Sequence, residues 1–265
     1  MCPVFFQLGG VTFHSYGFML GLALFFAACM EVHAARKDGI EPRKAVAFAA
    51  IVIVAGYVFG HLHSVATDPD VKLWSGLGFT FYASAISGAL AAWPACRLLG
   101  LSYLEMADAT APAIALAHGV GRIGCFLYGC CYGLPSPHGL SFARESAPWI
   151  DQVRSGAISN QAERSLPVLP TQLVESGYEL VLTLALLLLL ARRPRRGTAG
   201  LVYLAAYGPL RVVVERFRAD PGRGEILGLT TSTFLGLVTT VLALVFLLVP
   251  PLVRLRPERA SKGPS

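Results

Sequence analysis

The chain has 265 residues, of which 54% are hydrophobic and only 14% charged, and its mean hydropathy is +0.58. This composition excludes an ordinary soluble domain and indicates an integral membrane protein. The formal net charge of +6 is spread in small groups between apolar segments. We therefore expect no nucleic-acid partner and attribute the basic residues to membrane topology.

Seven apolar segments are long enough to cross a bilayer, which takes about 20 helical residues. They cover roughly 14–35, 45–66, 78–99, 107–128, 171–191, 200–217 and 229–252. The fourth and sixth contain ionisable residues, as is typical of helices that line a cavity rather than face lipid. The sequence thus predicts one all-α membrane domain over residues 1–265, with about seven transmembrane helices.

Lys and Arg are concentrated on one side of these segments, mainly at 36–44, 192–196 and 254–262. By the positive-inside rule this side is cytoplasmic, so we expect the N-terminus outside, the C-terminus inside, and a basic cytoplasmic tail at about 253–265. Because the first basic residue is Arg36, no positive region precedes the first segment. We expect that segment to be retained rather than cleaved as a signal peptide.

Four groups of polar residues converge on the outer ends of different segments. They are Tyr82 in the third segment, 118–133 in the fourth, Gln172 and Glu175 in the fifth, and 211–218 in the sixth. A proline-containing loop at about 129–169 is long enough to cover them, and long loops often carry function. The sequence therefore predicts a site near the outer membrane face.

His118 and Arg122 are four residues apart and share one helix face. An arginine in this setting is suited to a two-pronged contact with a phosphate. The alternative is that Arg122 reaches outward to water and His118 is a hydrogen-bonded packing residue. Because ionisable residues inside a membrane are costly, we favour a functional role.

A second charged face is formed by Arg211, Glu215 and Arg218. A second arginine would stabilise phosphate charge as it develops during bond cleavage. The alternative is an internal ion-pair ladder that lets a polar helix insert. Gln172 and Glu175 open the fifth segment and have either a catalytic role or a pairing role with these arginines.

The six cysteines are Cys2, Cys29, Cys96, Cys125, Cys130 and Cys131. Cys29 and Cys96 lie inside apolar segments and are expected to be packed thiols. The last three, with His118, could form a metal site, but adjacent cysteines do not follow the usual two-residue gap, so we predict no metal. A disulfide from Cys125 or Cys2 to one of the adjacent pair remains an alternative on an oxidising outer face.

The segment at 121–133, GRIGCFLYGCCYG, resembles the GRIGNFINGELYG signature of bacterial prolipoprotein diacylglyceryl transferases. Other segments resemble further motifs of this family in the same order. They are HSYGFMLG at 14–21, GFTFYASAISG at 78–88, LPTQLVES at 169–176, YGPLRVVVERFRADPGR at 207–223 and GLTTSTFLG at 228–236. The resemblance thus covers nearly the whole chain.

The resemblance implies a bacterial inner-membrane enzyme with its active site toward the outer leaflet. Such an enzyme moves the diacylglyceryl group of phosphatidylglycerol to the lipobox cysteine thiol of a prolipoprotein signal peptide and releases glycerol phosphate. By the same resemblance Arg122 and Arg211 bind the lipid phosphate, and no cofactor is needed. The expected substrate contacts are Tyr16, Gly121, Arg122, Cys125, Gly129, Gln172, Glu175, Glu215 and Arg218.

Three departures from the family motifs affect the assignment of a proton acceptor. Cys125 replaces the signature asparagine, Cys130 replaces its glutamate, and Tyr82 stands where many members have histidine. We therefore propose His118 or Tyr82 as the proton acceptor. Two rivals remain: an enzyme with a changed donor or acceptor and a cysteine nucleophile, or a non-catalytic lipid- or lipoprotein-binding protein.

Overall fold

The computed structural model describes residues 4–9, 11–67, 81–220 and 224–248. Cys2, the start of the third predicted segment at 78–80, the end of the seventh at 249–252 and the predicted basic tail lie outside these residues. The helices are α1 (Ser15–Lys37), α2 (Pro42–Thr67), α3 (Phe81–Leu99), α4 (Tyr103–Tyr128), α5 (Ala147–Arg154), α6 (Thr171–Ala191), α7 (Thr198–Glu215) and α8 (Thr231–Leu248). The strands are β1 (Val4–Leu8), β2 (Val11–His14), β3 (Pro135–Leu140), β4 (Glu225–Ile226) and β5 (Leu229–Thr230).

A helix covers most of the described part of every predicted apolar segment; residues 14 and 229–230 are in strands instead, and 216–217 follow the end of α7. Five of them, α1, α2, α4, α6 and α8, are long and apolar enough to cross a membrane. Helices α3 and α7 are not among these five, and α7 carries Arg211 and Glu215. The protein is therefore a helical membrane protein with five candidate spans among the described residues. Two short antiparallel pairs, β1 with β2 and β4 with β5, precede α1 and α8.

Helix α4 lies at the centre of the bundle and packs against α1, α3, α6 and α7. Close approach to α1 requires a glycine, because a Cβ added at Gly124 would lie 2.9 Å from the Cβ of Met19. The contact between α7 and α8 likewise depends on Gly208, where an added Cβ would overlap the backbone of Gly236. Small residues therefore bring the ionisable faces of α4 and α7 into the interior.

Large apolar side chains cover the outside of the bundle. Leu98 is 78% exposed and Leu188 is 59% exposed. A soluble monomer rarely exposes so much contiguous apolar surface, whereas lipid covers it without cost. Cys29 also lies on this exposed surface, so the prediction that it is a packed thiol is wrong; the prediction for Cys96 is confirmed, since it is buried.

The loop between α4 and α6 has a small core of its own. Tyr132, Phe142 and Val168 are buried together. Burial and a 2.6 Å hydrogen bond that the Tyr132 hydroxyl donates to Asp151 raise the pKa of Tyr132 above its ordinary value. The backbone N–H of Leu134 donates to the carbonyl of Phe217 (2.8 Å) just after α7. The loop is thus tied to the end of the helix that carries Arg211.

Asp108 on α4 is fully buried and caps the start of α7. Its carboxylate accepts backbone N–H groups from Gly197 (2.9 Å), Ala199 (2.8 Å) and Gly200 (3.4 Å). A negative charge at a helix N-terminus satisfies donors that have no partner within the helix and interacts favourably with the helix dipole. This buried acid therefore has a structural role.

We expect Asp108→Ala to destabilise the protein by about 2–3 kcal/mol, because three N–H donors lose their acceptor. Asp108→Asn should recover part of this loss, since its amide oxygen still accepts. Thermal unfolding of the purified protein in detergent measures both effects. Glu105→Ala, which removes a partly exposed pair with Arg196, is the control, and an equal loss in the control would contradict the capping role.

Candidate active site

Three helices direct ionisable side chains into one buried region. Helix α4 supplies His118 and Arg122, α6 supplies Glu175 and Glu179, and α7 supplies Tyr207, Arg211 and Glu215. On each helix the residues are four apart, so they lie on one face. His118, Glu175, Glu179, Arg211 and Glu215 are each at least 90% buried. The predicted convergence of these groups is therefore present in the structure.

Glu175 joins the two arginines. Arg122 contacts this carboxylate through Nη2 (3.0 Å to Oε1) and Nε (3.0 Å to Oε2). Arg211 contacts both oxygens of Glu175 through Nη1, at 3.3 Å. A single buried carboxylate thus holds two guanidinium groups side by side, against their mutual repulsion.

His118 lies between the two carboxylates of α6. Its Nε2 accepts a hydrogen bond from Nε of Arg122 (3.2 Å) and lies 3.5 Å from Glu175. Its Nδ1 lies 3.1 Å from Glu179, which is fully buried. Because arginine can only donate, Nε2 is an acceptor, and the ring proton is on Nδ1 beside Glu179. The imidazole therefore presents its basic nitrogen to the arginine pair.

Two side-chain donors on α7 have no hydrogen-bond partner among the described residues. They are Nε of Arg211 and the hydroxyl of Tyr207, both buried. Nη2 of Arg211 is paired with Glu215 at 2.5 Å, so Arg211 is held from both sides. Tyr82 on α3 lies close enough to Tyr207 and Arg211 to interact electrostatically with both. Buried donors without partners are characteristic of a site for a polar ligand.

Arg218, one of the expected substrate contacts, lies just beyond α7. It donates to Asp220 from Nε (2.8 Å) and Nη2 (2.5 Å). Burial lowers the pKa of Arg218, but the hydrogen bonds to Asp220 raise it overall above the ordinary value. The structure therefore pairs Arg218 with Asp220 rather than with the carboxylates around Arg122.

Four other residues predicted to contact substrate differ in what surrounds them in the structure. Gln172 is fully buried and donates to the backbone carbonyl of Cys130 (2.6 Å). Gly129 ends α4 in the left-handed conformation with φ of 94°. Tyr16 lies within electrostatic range of Cys125, whereas a Cβ added at Gly121 would meet no atom within 4 Å. Gln172 and Gly129 thus shape the backbone beside the arginines.

Two residues of the site were not among the predicted site residues. Glu179 shares the face of Gln172 and Glu175 in the sequence, which predicts for it the same choice of a catalytic or a pairing role, and Tyr207 was not considered. Tyr207 packs on His118 with ring centroids 5.4 Å apart. Its signal in the sequence is its position one turn before Arg211. Its four-residue spacing from a charged residue inside an apolar segment would have identified it.

Comparison with known proteins identifies the family of this chain. The model of the prolipoprotein diacylglyceryl transferase family matches residues 3–249. A phosphatidylglycerol–prolipoprotein diacylglyceryl transferase of Clostridium tetani is 31% identical, over 92% of this chain and 96% of its own length. A second such transferase of Clostridium perfringens is 31% identical over 87% of this chain and 88% of its own length. The chain therefore belongs to the prolipoprotein diacylglyceryl transferase family.

Proposed function

We propose that this protein transfers the diacylglyceryl group of phosphatidylglycerol to the lipobox cysteine of prolipoprotein signal peptides. The reaction forms a thioether and releases glycerol phosphate. The observation that carries the proposal is the pair of arginines, Arg122 and Arg211, held on one carboxylate inside a lipid-facing bundle. The names of the relatives support the same two substrates.

The chemistry requires a bound phosphate and a deprotonated thiol. Arg122 and Arg211 bind the phosphate and stabilise the charge that develops as the glycerol carbon–oxygen bond breaks. A free thiol has a pKa of about 8.5 and is mostly protonated at neutral pH. His118 accepts the thiol proton through Nε2 once substrate displaces the Arg122 contact, and Glu179 stabilises the resulting imidazolium.

The site lies toward the outer leaflet of the bacterial inner membrane in this proposal. All seven long helices cross the bilayer, with the N-terminus outside and the C-terminus in the cytoplasm, in agreement with the distribution of Lys and Arg. The loop at 129–169 then covers the site from outside. This placement gives the site access to membrane lipids and to exported prolipoproteins.

The identity of the donor lipid is tested with the purified protein in vesicles. Vesicles of phosphatidylglycerol are compared with vesicles of phosphatidylethanolamine, each with a lipobox peptide. We expect glycerol phosphate to be released from phosphatidylglycerol only, in a one-to-one ratio with modified peptide. Modification of the peptide without release of glycerol phosphate would overturn phosphatidylglycerol as the donor.

Replacement of the two candidate proton acceptors distinguishes their roles. We expect His118→Gln to lower the turnover number about a hundredfold, as is typical for loss of a general base. Tyr82→Phe, which removes only a hydroxyl, should stay within about tenfold of the unmodified enzyme. Initial rates of peptide modification measure both, with His63→Gln on the exposed face of α2 as the control. A larger loss in Tyr82→Phe would reassign the proton acceptor to Tyr82.

A further inference from the structure

Three cysteines at the end of α4 form a compact group, the thiol cluster: Cys125, Cys130 and Cys131. Their sulfur atoms all lie within 4.8 Å of one another. Cys125 is buried and the other two are half-buried. None of the three is in a disulfide. The cluster is therefore partly enclosed by protein and partly exposed.

The backbone that carries the cluster is held in place by several contacts. The N–H of Cys130 donates to the carbonyl of Cys125 (3.1 Å), closing the turn after α4. From α6, Thr171 donates to the carbonyl of Cys131 (2.8 Å) and Gln172 to that of Cys130 (2.6 Å). Cys131 has a φ of 59°, a left-handed conformation that favours glycine. A strained residue with a functional side chain is a feature of binding sites.

The three sulfur atoms lie close together although Cys130 and Cys131 are adjacent in the sequence. Adjacent cysteines in a regular helix or strand direct their side chains apart, but here Cys131 follows a left-handed turn. Zinc–sulfur bonds of about 2.3 Å in a tetrahedral site place the sulfurs about 3.8 Å apart. The observed limit of 4.8 Å requires only small side-chain rotations to reach this value.

We propose that Cys125, Cys130 and Cys131 bind a zinc ion through three thiolates and leave its fourth position open to the thiol of the acceptor cysteine. No fourth His, Cys, Asp or Glu belongs to this group among the described residues. Three protein ligands with one open position are the pattern of catalytic zinc, whereas structural zinc has four. This assignment of an acceptor rests on the proposed transferase function.

The cluster is next to the arginine site. Arg122 lies in electrostatic range of Cys125 and Cys131, and Arg218 lies in range of Cys131. These positive charges stabilise an anionic zinc–thiolate group. In this proposal the acceptor thiol on the zinc and the lipid phosphate on the arginines are both close to Arg122.

Zinc at this position would supply the nucleophile. A thiol that binds zinc loses its proton, which is taken up by His118. The thiolate then attacks the glycerol carbon; a sulfur–carbon bond forms and the carbon–oxygen bond to phosphate breaks. The electron pair of that bond leaves with the phosphate oxygen as glycerol phosphate. No oxidation or reduction takes place.

Metal binding is measured first, with full-length protein in detergent and with Zn²⁺ or Co²⁺ alone. We expect about one zinc per chain by mass spectrometry and a thiolate-to-cobalt absorption band with Co²⁺. Cys125→Ser, Cys130→Ser and Cys131→Ser should each weaken zinc binding at least about tenfold. Cys29→Ser and Cys96→Ser, outside the cluster, should bind as the unmodified protein does. Absence of zinc binding in reduced protein, or equal binding by the cluster variants, would overturn the site.

The open position is tested by adding a lipobox peptide to the cobalt-loaded protein. We expect the absorption spectrum to change with the cysteine peptide and to remain unchanged with its serine counterpart. An unchanged spectrum with both peptides would overturn binding of the acceptor. Zinc-free protein that modifies the peptide at the full rate would overturn the catalytic role. None of the binding measurements depends on turnover, so failure of the transferase proposal is detected separately.

Discussion

Arg122→Ala should lower the rate of diacylglyceryl transfer by about a hundredfold to a thousandfold. The variant removes a forked donor from the lipid phosphate, and loss of one such donor to developing charge typically costs about 10²–10³ in rate. The substitution also removes the hydrogen bond that Nε of Arg122 donates to Nε2 of His118. Initial rates of peptide modification, at saturating lipid, measure the effect.

The control for this variant is Arg216→Ala. Arg216 follows the last residue of α7 and is exposed, whereas Arg122 is half-buried. The control therefore removes an arginine that lies outside the site. Arg122→Lys keeps the charge without the fork and should recover only part of the rate. Full activity in Arg122→Ala would contradict the proposal that this arginine holds the phosphate.

Glu175→Ala is expected to be the most destabilising substitution in the site. It leaves Arg122 and Arg211 without their shared carboxylate in a buried region. Removal of one partner from a buried ion pair costs about 3–5 kcal/mol. For a protein of this size the melting temperature should fall by roughly 6–20 °C. Thermal unfolding in detergent, followed by tryptophan fluorescence, measures the shift.

Two further variants separate charge from hydrogen bonding. Glu175→Gln keeps one acceptor oxygen and should destabilise the protein less than Glu175→Ala. Glu163→Gln, on the exposed surface of the loop between α4 and α6, should leave the melting temperature unchanged. A melting temperature of Glu175→Ala equal to that of the unmodified protein would show that the two arginines do not need this carboxylate.

Long-range packing explains which parts of the fold were predictable. The apolar runs predicted a helix over each of the seven segments, because twenty apolar residues in lipid leave few other structures. For the loop at about 129–169, the sequence predicted only that it covers the site and no secondary structure within it. Its strand and short helix depend on contacts with α6 and α7, such as the bond between Leu134 and Phe217, and local sequence does not encode these partners.

In the site, too, contacts within one helix were predictable and contacts between helices were not. Four-residue spacing predicted that His118 and Arg122 share a face, as do Arg211 and Glu215. It did not predict that Glu175 joins both arginines, since this depends on how closely α4, α6 and α7 approach. Asp108 was read as a charge in a cavity-lining helix, but it caps a neighbouring helix. The prediction that Cys29 is a packed thiol was wrong because an apolar segment has a lipid-facing side as well as a packed one.

The most direct test of the transferase function is the mass of a lipobox peptide incubated with the purified protein and phosphatidylglycerol. We predict a gain of one diacylglyceryl unit on the cysteine, absent when the peptide cysteine is replaced by serine. Lipid that binds to the protein while the peptide mass stays unchanged, with and without added zinc, would contradict the transferase and support a lipid-binding protein instead.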